Sequence, residues 1–175
     1  MQQAPSTQQY ATPSSATPSL TGSDDILGFR KDVFIEMIKW GAIAGAIAGV
    51  IDFVGGMLTT LFSWFGIFAL AGGAMFGFSS IYSLLSDVIQ SAFWGVISVF
   101  IVVKFYEKFP FKGLFMKFFG ISLIIDIIVM VFFGLFLLIF AGPLSFIIML
   151  ATLLLADFVF AKIAAGKVGP LTGLQ

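Results

Sequence analysis

The chain has 175 residues, 59% of them hydrophobic and only 10% charged, and nine Lys and Arg balance nine Asp and Glu. Soluble domains carry about 25% charged residues, so the composition excludes an ordinary water-soluble fold, and the charge balance points to no nucleic-acid partner. Cysteine, histidine and asparagine are absent, which excludes disulfides, Cys/His zinc sites, haem ligation through those residues, thiol catalysis and N-x-[ST] glycosylation.

No catalytic residue, metal site or cofactor is therefore expected, and the protein is not read as an enzyme. The lack of Asn and Cys also fits a thermophile's avoidance of thermolabile residues.

Residues 1–22 are a Gln/Pro/Ser/Thr/Ala tail without charge, too poor in apolar surface to offset the entropy of ordering, and are expected to be disordered. The tail has no basic stretch ahead of an apolar core, so no cleavable signal peptide is expected. Over 23–39 the pattern predicts an amphipathic interfacial helix. Ser23 would cap it, Asp24 and Asp25 would sit in its first turn, and Val33, Phe34 and Met37 would lie opposite Lys31, Asp32, Glu36 and Lys39. Trp40 marks the membrane boundary.

The predicted fold is an all-α integral membrane protein, a four-transmembrane-helix bundle (40–165) preceded by that interfacial helix. Its spans run over about 40–62, 81–105, 114–140 and 144–164, each meeting the ~20 residues needed to cross ~30 Å of hydrocarbon. In the first span Gly41, Gly45, Gly49 and Gly56 share one strip of the helix, with Asp52 inside it. This is the small-xxx-small spacing that lets helices approach backbone to backbone. The strip predicts close packing, with other membrane subunits, by self-association, or with the polar stripe of the second span.

Residues 63–80 are apolar, Gly-rich and uncharged. With Gly55-Gly56 as a turn, 57–80 would make a fifth span. The basic residues argue otherwise. Arg30, Lys31 and Lys39, then Lys104, Lys108, Lys112 and Lys117, then Lys162 and Lys167 all fall on one side with four spans, but not with five. The positive-inside rule thus gives four spans in the cell membrane, cytoplasmic termini, a 166–175 cytoplasmic tail, and an outer or re-entrant hairpin at 63–80. Ala141-Gly142-Pro143 forms the tight turn between the last two spans.

Each span carries one aspartate: Asp52, Asp87, Asp126 and Asp157. Counted inward from the basic boundary, they form a ladder with steps of roughly 5–7 Å, suited to a proton or cation relay. On the second span Ser83, Ser86, Asp87, Gln90, Ser91 and Ser98 share an arc about 140° wide. The faces around Asp126 and Asp157 look greasier, and Asp52 with Asp87 is the expected pair. A protonated aspartate can instead simply bridge to a neighbouring helix and add packing specificity.

Two functions follow as expectations. One is an accessory or structural subunit of a larger membrane assembly, such as an energy-transducing complex or an envelope. The other is a proton- or cation-conducting transporter or channel using the aspartates. Reporter fusions after residues 70 and 110 test the topology: four spans give an external signal at 70 and a cytoplasmic one at 110, whereas an external signal at 110 means five.

Overall fold

A computed structural model of the chain describes residues 25–63 and 73–174. The N-terminal tail and Ser23 lie outside the described residues, as does 64–72 of the apolar 63–80 segment. The architecture is all-helical: four long helices, α1 (Lys31–Leu61), α2 (Gly73–Lys104), α3 (Leu114–Ala141) and α4 (Pro143–Thr172), follow a small hairpin of β1 (Asp25–Ile26) and β2 (Phe29–Arg30). Among the described residues three helical segments, Lys31–Leu61, Ile81–Lys104 and Pro143–Thr172, are long and apolar enough to cross a membrane.

The hairpin corrects the expected start of the first helix. Leu27 and Gly28 both have positive φ, 55° and 86°, the pair of left-handed residues that a tight two-residue hairpin turn requires. Asp25 pairs with Arg30 and Ile26 with Phe29, so the helix cannot begin at residue 24 and starts at Lys31 instead. Met37 is fully buried while Lys31, Asp32 and Lys39 are exposed, and the helix runs unbroken into the apolar segment.

Gly55 and Gly56 lie inside α1, so the turn that a fifth span would need is absent. Residues 73–80, expected within the outer or re-entrant hairpin, belong to α2 instead. At the other end α4 continues to Thr172 through Pro170 and stops at Gly173 in the left-handed conformation, a common helix terminator. The expected 166–175 tail is therefore largely helix, held by the buried Val168 and Gly169. Gly142, at φ 91°, and Pro143 at the first turn of α4 make the short connection from α3.

Helix α1 is the hub, packing extensively on α2 and on α4, while α3 leans on α4 and only brushes α2. Against α2 the contact is backbone to backbone. A Cβ placed on Gly45 would stand 2.1 Å from the Ser91 carbonyl oxygen, and one on Gly95 would stand 2.4 Å from the Gly41 carbonyl oxygen. Gly41 and Gly49 sit on the same seam, against Val96 and Asp87. The glycine strip is thus occupied by α2 of the same chain.

Gly56 departs from the strip and faces open space, whereas Gly55 meets Thr152 of α4. The Ser145 hydroxyl donates to the Thr59 carbonyl at 3.1 Å in a buried bond between α4 and α1.

The basic residues gather at one end of the bundle. Lys39 and Lys167 both stand over the Trp40 ring, at 5.5 and 4.7 Å, joining the start of α1 to the end of α4. Phe34 of α1 meets Phe100 near the end of α2 at 5.0 Å between ring centroids. Lys117, only 6% exposed, lies over the Tyr106 ring and donates to the Tyr106 carbonyl. Elsewhere the surface is greasy: Ile89, Val131 and Ile139 are about two-thirds exposed, which suits lipid and not water.

The seam makes a specific prediction. Gly45→Ala must push α1 and α2 apart and should cost about 1–3 kcal/mol as an overpacked contact. Gly56→Ala, facing open space, should be neutral or stabilise the helix by up to about 1 kcal/mol. Thermal or SDS unfolding of the purified protein in detergent distinguishes the two.

Candidate functional site: an acidic cavity at the centre of the bundle

Because α3 rests on α4 and barely reaches α2, the four helices do not close on one another. The gap is a cavity of about 360 Å³ to which every helix contributes. Helix α1 supplies Gly45, Ala48 and Asp52, and α2 supplies Gln90, Ser91, Trp94, Gly95 and Ser98. Helix α3 adds Ser122, Ile125 and Asp126, and α4 adds Ala156, Asp157 and Phe160.

Helical spacing explains why these side chains converge. Gln90, Ser91, Trp94, Gly95 and Ser98 recur at three and four residues and so lie along one face of α2. Ser122 and Asp126 are likewise one turn apart on α3. The α1 wall is low because Gly45 and Ala48 carry little side chain, and this leaves the Asp52 carboxyl room to point inward.

Three carboxyls line the cavity. Asp126 and Asp157 lie side by side across the α3–α4 contact, with the Ser122 hydroxyl beside Asp157. Asp52 stands within electrostatic range of both and of Asp87. Asp157 is 6% exposed, and its Oδ2 has no hydrogen-bond partner in the protein; Oδ1 of Asp52 is in the same condition. A buried polar atom left without a partner costs about 1–3 kcal/mol. Among the described residues no three acidic side chains come together closely enough to hold a metal ion, and no Lys or Arg lines the cavity.

The positions anticipated from sequence divide. Asp52, Asp126, Asp157, Gln90 and Ser91 line the cavity. Asp87 is partly exposed beside it and lends its backbone carbonyl to the contact with Gly49, while Ser83 and Ser86 are exposed and do not line it. Of the four aspartates expected as rungs, Asp52, Asp126 and Asp157 line one cavity and Asp87 lies at its margin. Asp126 and Asp157, whose helix faces looked greasy, are the pair in closest contact.

Trp94 and Phe160 were not singled out from sequence. Trp94 follows Gln90 by four residues and Ser91 by three, and Phe160 follows Asp157 by three, so helical spacing from the polar residues would have found both. No protein-family model, curated protein or solved structure matches this chain.

The convergence can be tested by cross-linking, because the native chain has no cysteine. The double variant Asp126→Cys with Asp157→Cys should form a disulfide under mild oxidation in membranes, read as a loss of free thiol. Asp87→Cys with Asp157→Cys should not.

Proposed function

We propose that the protein is a small multi-pass protein of the cell membrane that takes up and passes protons or cations through its central acidic cavity. The observation that carries this reading is the convergence of Asp52, Asp126 and Asp157 on one cavity, with buried carboxylate oxygens that no protein group satisfies. Charged groups inside a membrane are costly and are kept where they face an ion path or a partner. Gathering three on one cavity with no basic residue to neutralise them suits a site whose counter-charge arrives from outside. The four-span arrangement with α3 as the remaining span, and both termini cytoplasmic, follows from the basic residues collecting at one end of the bundle.

The accessory-subunit reading is retained for one observation. On the first half of the described part of α2, Ser83 and Ser86 are exposed alongside Ile81, Tyr82, Leu85 and Ile89. Hydroxyls on a lipid-facing helix are better served by a neighbouring subunit. Extraction in gentle detergent should then bring down a stoichiometric partner that Ser83→Leu or Ser86→Leu releases. A clean single species argues against it.

For the conduction reading, proteoliposomes holding the wild-type protein should dissipate an imposed pH or potassium gradient faster than empty liposomes. Asp52→Asn and Asp157→Asn should each slow that rate by roughly tenfold or more, the loss of one charge-stabilising contact of about 1.4 kcal/mol. Rates equal to those of empty liposomes for the wild type would reject it.

A further inference from the structure

The cavity is larger than a proton or a bare metal ion requires. At about 360 Å³ it falls within the ~300–1,000 Å³ of pockets that hold small organic molecules, and exceeds tenfold the ~30 Å³ that one water occupies. Its carboxyls are spread too far for metal chelation, yet they line the same space as two aromatic rings, Trp94 and Phe160. Carboxylate with aromatic wall is the chemistry that recognises an organic cation, whose diffuse charge is met by the ring face as well as by the acid.

The way in points to the same class. Helices α2 and α3 touch only slightly, and Trp94 lines the cavity while remaining 46% exposed, so the opening lies between helices along the bundle's side and not only at its ends. A ligand that partitions into lipid can reach it. Asp157 lines this space while only 6% exposed, and a carboxylate so little screened by water attracts a counter-ion more strongly than one on the surface.

We infer that the cavity between α2 and α3 is a binding site for lipophilic organic cations that enter from the bilayer, with Asp157 and Asp126 as counter-ions and Trp94 as the aromatic wall at its mouth. This deepens the conduction reading by naming the class of cation, and it rests on the same cavity.

The test is equilibrium dialysis of radiolabelled tetraphenylphosphonium against the full chain in lipid nanodiscs, with empty nanodiscs as the blank. Saturable binding near one per chain is expected, undisturbed by excess potassium. Asp157→Asn should weaken it roughly tenfold or more and Trp94→Ala roughly three- to tenfold, with Ser86→Ala unchanged. Because Asp157 is buried, thermal unfolding of each variant is measured alongside, and the exposed Trp94 gives a readout that does not depend on Asp157 tolerating change. Binding no greater than to empty nanodiscs overturns the inference, as does binding that Trp94→Ala and a folded Asp157→Asn leave intact. Proton or potassium flux without tetraphenylphosphonium binding would sink the organic-cation site and leave the conduction reading standing. Binding without flux would do the reverse.

Discussion

The backbone contact at Gly45 and Gly95 sets the geometry of the bundle. Helices with ordinary side chains at their contact stand about 8–10 Å apart. Here the missing Cβ atoms let the Ser91 carbonyl approach Gly45, and the Gly41 carbonyl approach Gly95, more closely than any side chain would allow. Lipid offers little hydrophobic drive for two helices to associate, so such close van der Waals packing carries much of the adhesion. Once α2 is fixed in this way, Gln90, Ser91 and Ser98 are carried to the edge of the same space that Asp52 enters from α1. The floor of the cavity and its first polar wall are thus products of one contact.

The other side of α1 is taken by α4, through Gly55 against Thr152 and the Ser145–Thr59 bond. With both flanks of α1 used, α3 has no place on the hub and docks on α4, where Phe118 meets Phe160 edge-on at 6.0 Å and Phe115 meets Phe158 at 5.5 Å. The gap towards α2 follows from that order of packing. A helix bundle whose members each touched both neighbours would have closed over the aspartates. This one leaves them facing a common space.

Much of the helical frame is legible in the sequence, because long apolar segments separated by basic or Gly-Pro punctuation have few alternative readings. The hairpin at 25–30 is not, since its signal is Gly28 alone and a left-handed Leu27 is uncommon. For the site, composition and spacing find the aspartates but not their grouping. Counting along each helix gives depth, yet which faces meet depends on the order in which helices pack. That order is why Asp126 and Asp157 come together while Asp87 stays at the margin. Gly41, Gly45 and Gly49 pack against α2, but spacing says nothing about whether the partner of such a strip is another chain or the next helix. Helical angle alone puts Gly56 on the strip, yet it faces open space while the neighbouring Gly55 meets α4.

The Ser145–Thr59 bond joins residues 86 positions apart, and that separation has a consequence for synthesis. Chains emerge from the ribosome at about 5–20 residues per second, so α1 and α2 can settle on their glycine seam on the order of ten seconds before α4 is complete. For that interval Asp52 has one polar wall and lacks Asp157 as a carboxylate neighbour. The acidic cavity is therefore the last feature of the molecule to exist: nascent chains that stop short of α4 carry the seam but not the site.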